Sequence, residues 1–192
     1  ENKDYEFIPN AIEVERFLYN EEIRNRIRSE YHLQDKKVIG HVGRFMAQKN
    51  HTFLIDIFAE YYKNHKDTKL VLLGDGELMP KMKEKVQTLG IEDAVLFVGN
   101  VGNANEWYQA FDAFVLPSVW EGLPVVGVEA QAADLPCVFS DNITREIGLT
   151  DKASFVSTSD KKQWVDCLEK ALKDQSRKNN YEVITKNRYN IV

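Results

Sequence analysis

Ala113-Phe114-Val115-Leu116-Pro117-Ser118-Val119-Trp120-Glu121-Gly122-Leu123-Pro124-Val125-Val126-Gly127-Val128-Glu129 changes character twice along its length. Ala113 to Leu116 is apolar without alternation, as in a strand covered on both faces. A loop follows, and Pro124 suits a first helical position, where its missing N–H costs nothing. A helix starting there carries Glu129 roughly 7 Å along its axis, amid Val125, Val126, Val128, Ala130, Ala132 and Ala133. Strand, loop and helix in this order form the unit of a parallel sheet with helical crossovers. A glutamate on so apolar a helix is buried only where something polar meets it. The alternative is a solvent-facing glutamate on an amphipathic helix. Glu121, at the mouth of the same strand beside Trp120, favours a site.

The same unit recurs outward from this stretch. Short runs rich in valine, isoleucine and leucine predict strands at Val38 to Val42, Lys69 to Leu73, Val95 to Val98 and Cys137 to Ser140, with a weaker one at Ser154 to Val156. Between them Phe53, Leu54, Ile57, Phe58 and Tyr61 share one helix face, as do Trp164, Leu168, Ala171 and Leu172. Asn103 followed by Glu106 resembles a capping box, and Ser159 is placed to cap the last long helix. Residues 1–35 read as a leading strand or loop and a charged helix, Asn20 to Tyr31, within the same domain. Residues 36–173 form the α/β body, and 174–192 a polar tail or a terminal helix that docks elsewhere.

A chain of 192 residues suits one well-packed domain. A net charge of −5 and a pI near 5.5 argue against nucleic acid as the main partner. Lys81, Lys83 and Lys85 read as a solvated face. Cys137 and Cys167 have no metal-ligand spacing and read as small core residues in a reducing compartment. No membrane span or signal peptide is visible, so a soluble, cytoplasmic chain is expected. The start at Glu1, with Phe7-Ile8-Pro9-Asn10 reading as the exit from an earlier element, suggests a piece of a longer protein.

Ligands of open α/β sheets lie beyond the carboxyl ends of the strands, where helix N-termini attract anions. The successive exits here are Gly43-Arg44-Phe45-Met46-Ala47-Gln48-Lys49-Asn50, Gly74-Asp75-Gly76-Glu77, Gly99-Asn100-Val101-Gly102 and the loop holding Glu121. Arg44 and Lys49 beside a glycine suit a diphosphate, although two such cations without context are usually solvated surface charges. Gly74-Asp75-Gly76 reads as a tight turn, and neither a dinucleotide fingerprint nor a P-loop is present.

In this order and spacing, nearly the whole chain resembles the donor-binding domain of retaining GT-B glycosyltransferases, the family that includes bacterial capsule, exopolysaccharide and lipid mannosyltransferases. The residues that carry the resemblance are Ile8-Pro9-Asn10-Ala11-Ile12-Glu13, Val42-Gly43-Arg44 with Lys49, Leu72-Leu73-Gly74-Asp75-Gly76, Phe97-Val98-Gly99, Leu116-Pro117-Ser118 with the two glutamates, and Glu129-Ala130-Gln131-Ala132. It implies a Rossmann-like open parallel sheet flanked by helices, one half of a GT-B fold. It also implies transfer of a sugar from a nucleoside-diphosphate sugar to a glycan or lipid-linked acceptor, with retention, in polysaccharide biosynthesis. Arg44, Lys49 and Glu121 would be catalytic. The donor would meet Gly43, Arg44, Lys49, Asn100, Val101, Glu121, Gly122, Leu123, Val125, Val126 and Glu129, with Glu129 on the ribose and Asn100 and Val101 bordering the base. A UDP-sugar is the first expectation and a GDP-sugar the second. No cofactor or essential metal is expected. The acceptor site would belong to an N-terminal domain of the same protein, which would be peripheral to the membrane, and this chain alone would bind donor weakly and transfer little.

Three positions depart from the family pattern. Asn10-Ala11-Ile12-Glu13 replaces Asn-Gly-hydrophobic-Asp, and Asp134 stands where glycine is usual, which asks aspartate for a glycine-like backbone. Pro124 replaces a glycine and has no N–H, so Val125 or Val126 would have to supply that bond to phosphate. Two rivals are a sugar-nucleotide epimerase of the same fold and a non-catalytic nucleotide-binding module. The epimerase needs acid–base groups facing the sugar. His41 reads as a satisfied core residue, His51 lies at a helix start, and His32 and His65 read as exposed.

Overall fold

The computed structural model describes residues 11–174, 176–187 and 189. Residues 1–10 lie outside them, including the predicted element exit at Phe7 and the Ile8-Pro9-Asn10 part of the family pattern. Six parallel strands, β1 (Lys37–Val42), β2 (Thr68–Leu73), β3 (Val95–Gly99), β4 (Ala113–Leu116), β5 (Cys137–Ser140) and β6 (Ala153–Val156), form one sheet in the order β3-β2-β1-β4-β5-β6. The chain therefore reverses its direction of travel across the sheet after β3, and the crevice of this doubly wound fold opens between the exits of β1 and β4.

Helices cover both faces, which is why the strands read as unbroken apolar runs. Strand residues alternate strictly between two cores. Val38, Val71, Leu73, Phe114, Leu116 and Phe139 pack in one with Ile27, Trp107, Tyr108, Val128 and Ile184. These last come from α1 (Glu21–Glu30), α4 (Ala104–Ala110), α5 (Val125–Ala132) and α7 (Tyr181–Lys186). Ile39, Leu70, Leu72, Ala113, Val115 and Val138 face α2 (His51–Tyr62), α3 (Met79–Thr88) and α6 (Lys161–Ala171). Phe53, Leu54, Ile57, Phe58, Tyr61, Trp164, Leu168 and Leu172 are buried as the helical periodicity predicts, and Ala171 is half-buried. At the amino ends of β1 and β4, buried Asp112 accepts from Val38 N (2.8 Å) and pairs with Arg24 (2.5 Å) and Arg28 (3.2 Å).

Helix ends differ from the sequence reading at three points. The Asn103 amide donates to the Glu106 carboxylate (2.6 Å) and caps no backbone group of α4. Asp160, one residue beyond Ser159, caps α6 by accepting from Gln163 N (2.9 Å). Pro124 stands just outside α5: its ψ of 107° is extended, and its carbonyl accepts from Gly127 N (2.9 Å). Within the tail, α7 packs on this domain by burying Ile184, and Tyr189 O accepts from Ile12 N (2.8 Å).

Asp134, after α5, adopts the left-handed backbone that its place in the pattern demands (φ 54°). Its carboxylate accepts from Lys152 Nζ (2.8 Å), Asn180 Nδ2 (2.8 Å) and Lys178 N (2.6 Å), tying the C-terminal segment to the sheet. Asp134→Gly relieves about 1 kcal/mol of backbone strain but leaves these donors, one of them charged, without their acceptor. The net loss is expected to be roughly 2 kcal/mol, read as a melting temperature lower by about 4–8 °C.

Candidate functional site

The exits of β1, β2 and β3 enclose a cleft of about 400 Å³ lined by Val42, Gly43, Arg44, Leu73, Gly74, Asp75, Gly99, Asn100, Val101 and Ala104. Four predicted ligand residues, Gly43, Arg44, Asn100 and Val101, thus meet in one place. Arg44 is exposed and has no ion pair among the described residues. The floor depends on Gly74. With φ at 125°, its backbone passes so close to Gly43 that a Cβ would lie 2.2 Å from the Gly43 carbonyl oxygen.

Lys49 and Glu121 meet beside this cleft. Lys49 Nζ lies 2.5 Å from Glu121 Oε1, with only 15% and 10% of the two side chains exposed. The same oxygen accepts from Ser118 Oγ (2.9 Å), and Oε2 accepts from Gln48 Nε2 (3.2 Å). The loop after β1 is thereby clasped to the loop after β4, reinforced by Val119 N donating to Gln48 O (2.8 Å). Trp120, next in line, is 62% exposed.

Gly122 and Leu123 follow on this loop, and Val125 and Val126 form the first turn of α5; none of the four lines the cleft described above. The first-turn amides of Val125 and Val126 have no acceptor within the helix. Glu129, one turn on, is half-buried, and its Oε2 accepts from Tyr108 Oη at 2.6 Å. Burial raises the Glu129 carboxyl above its ordinary pKa, opposed by the tyrosine bond and by Arg16. The polar partner that an apolar helix demanded of Glu129 is thus a side chain of α4.

Residues 22–190 match the family of glycosyl transferases group 1. The chain belongs to this family. This glycosyl transferase chain is 38% identical over 148 residues to EpsF of Bacillus subtilis (strain 168), named as a glycosyltransferase, covering 77% of this chain and 38% of EpsF. It is 33% identical over 144 residues to the UDP-Gal:alpha-D-GlcNAc-diphosphoundecaprenol alpha-1,3-galactosyltransferase of Escherichia coli, covering 70% of this chain and 36% of that protein. The chain therefore spans less than two fifths of the length of either relative. HepE of Anabaena, solved with UDP-glucose, matches with a TM-score of 0.78 at 19% identity, over 95% of this chain and 50% of its own. That likeness shows the fold, a Rossmann-like half of the GT-B architecture.

In this group 1 glycosyl transferase none of the histidines lines the cleft, although His41 Nε2 lies beneath Gly43, 3.0 Å from where a Cβ there would stand. His41 is fully buried, with Nδ1 against Val115 O (2.9 Å) and Nε2 without a partner, so it is only half satisfied. His51 is 2% exposed, stacks on Phe45 at 4.0 Å between centroids, and has neither ring nitrogen paired. Burial holds both rings neutral, lowering their pKa to about 4 and about 2. His32 and His65 precede β1 and β2, at the opposite end of the sheet, and His65 is half-buried on the Tyr61 ring. Sequence reasoning missed Tyr108, because nothing in its place on the short helix α4 tells that its hydroxyl meets a carboxylate of another helix. It quoted Gln48 and Ser118 without seeing that both serve Glu121. No helix among the described residues is long and apolar enough to cross a membrane, and no cluster of three or more His, Cys, Asp or Glu in them could hold a metal.

Proposed function

We propose that this chain is the donor half of a retaining glycosyltransferase that takes a UDP-sugar. The observation that carries the reading is the cleft, which gathers Gly43 and Arg44 with Asn100 and Val101 at the strand exits. In this reading the base lies along Asn100 and Val101, and Glu129 accepts from the ribose hydroxyls. The diphosphate lies over Gly43, against Arg44, Lys49 and the first-turn amides of α5. As the glycosidic bond breaks, the leaving diphosphate gains charge, which these donors stabilise in place. Glu121 meets hydroxyls of the sugar and, through its bond to Lys49, fixes the cation relative to the sugar.

Uridine is supported by the solved HepE complex with UDP-glucose and by the UDP-galactose in the name of the Escherichia coli relative. The acceptor, a glycan or lipid-linked saccharide, is assigned to chain beyond these residues, since the relatives are more than twice as long. The epimerase reading lacks a histidine to act as its acid–base group, because His41 and His51 are sealed in the core.

Calorimetric titration with UDP, GDP and ADP tests the assignment. UDP is expected to bind most tightly, and Arg44→Ala to weaken it about 10- to 100-fold, the loss of one charge-assisted bond. Because Arg44 is exposed, its melting temperature should stay within about 2 °C. Unchanged UDP affinity in Arg44→Ala would sink the diphosphate assignment.

A further inference from the structure

We propose that Tyr108 is a positioning residue for the ribose, its hydroxyl holding one oxygen of Glu129 so that the other is presented to the 2′- and 3′-hydroxyls. This rests on the reading that Glu129 meets the ribose. Tyr108 Oη lies 2.6 Å from Glu129 Oε2 and 3.4 Å from the Val126 carbonyl. The tyrosine is fully buried, and its ring is boxed by Phe17, Phe111 and Phe114, with centroids at 5.8, 5.9 and 5.8 Å. A ring so enclosed cannot swing its hydroxyl away, so the direction of the bond is fixed by the core. A glutamate has three side-chain torsions, and ordering them on binding opposes affinity; a carboxylate already held in place avoids that cost.

The placement of α4 gives the bond its meaning. The helix begins at Ala104, which lines the cleft next to Val101, and one turn later it supplies Tyr108. One short helix therefore sets both the base-side wall and the ribose carboxylate. The other charged group acting on Glu129 is Arg16 from the 3-10 turn Val14–Arg16, while the Val126 carbonyl lies against the Tyr108 hydroxyl. Burial raises the Glu129 pKa and the tyrosine bond lowers it, so without the hydroxyl the carboxyl takes up its proton at higher pH. Ribose-dependent affinity is then lost earlier on acidification.

The test compares UDP with 2′,3′-dideoxy-UDP on the unsubstituted chain, Tyr108→Phe, Glu129→Gln and the double variant. Tyr108→Phe is expected to weaken UDP about tenfold and leave dideoxy-UDP unchanged. The double variant should lose little beyond Glu129→Gln alone, and the acid limb of UDP binding should move to higher pH in Tyr108→Phe. Full UDP affinity in Tyr108→Phe alongside a loss in Glu129→Gln overturns the positioning role and leaves the ribose assignment standing. An equal loss for both ligands reduces Tyr108 to a packing residue. If Glu129→Gln binds UDP normally, the ribose assignment fails and the positioning role with it. A proton NMR measurement needs no variant: the buried hydroxyl should give a resolved downfield resonance that persists when UDP saturates the site, and its disappearance on binding would overturn the proposal.

Discussion

Lys49→Ala is expected to lower the melting temperature by about 6–20 °C and, in the reading proposed above, to cut sugar transfer by a protein that carries this domain about 100- to 1000-fold. The stability loss follows from what remains. Glu121, 10% exposed, keeps Ser118 and Gln48 but loses its only cationic partner among the described residues. Removing one member of a buried pair costs about 3–5 kcal/mol, because the other charge stays buried without compensation. In a domain of this size each kcal/mol moves the midpoint by roughly 2–4 °C. The loss of transfer follows from the role proposed for the ammonium at the leaving diphosphate, where one preorganised donor contributes about two to three decades of rate. The double variant Lys49→Ala/Glu121→Gln separates the two effects: thermal unfolding should recover most of the lost stability, while transfer stays low. A double variant as unstable as the single one would mean that the ion pair is not the cause.

Gly74→Ala should be nearly as damaging without removing any functional group. The added Cβ meets backbone, 2.2 Å from the Gly43 carbonyl oxygen and 2.9 Å from its carbon, at a φ of 125° that side-chain-bearing residues rarely adopt. Neither neighbour can retreat cheaply. Gly43 N donates to Leu73 O at 3.0 Å and Gly74 N to Gly99 O at 2.8 Å, continuing the sheet into the loops. Strain and overpacking together are expected to cost about 3 kcal/mol or more, a midpoint lower by about 6 °C or more. Because the displaced atoms are those of Gly43, UDP affinity should fall with stability. Gly122→Ala is the control: a Cβ there meets nothing within 4 Å, and its melting temperature should match that of the unsubstituted chain.

The sheet was legible because its strands are covered on both faces. Unbroken apolar runs located β4 and β5 to the residue, Ala113–Leu116 and Cys137–Ser140. Glycine at the exits then pointed to the cleft, since close backbone approach leaves a compositional trace, as at Gly74. Helix caps were less legible because several polar residues compete within one turn. Asp160 outcompetes Ser159 for the cap of α6, and Asn103 prefers a carboxylate to a backbone amide. The partnerships of the site were not legible at all. Lys49 and Glu121 are 72 residues apart, and Tyr108 and Glu129 are 21 apart on different helices. Each of these residues carries its chemistry in its own name, but only the strand order brings the pairs together.

Acidic groups are interleaved with the cations around the cleft, and this sets how far its attraction reaches. Arg44 shares the lining with Asp75, Lys49 beside it is paired to Glu121, and Arg16 acts on Glu129, on a chain whose net charge is −5. Seen from beyond a screening length of about 8 Å, a chain of net charge −5 does not draw an anion inward. Discrimination is left to the last few ångströms, where an ammonium and a guanidinium can be told apart from the carboxylates between them. A ligand succeeds there by matching individual charges at close range, and polyanions that are merely strongly charged gain nothing from the approach.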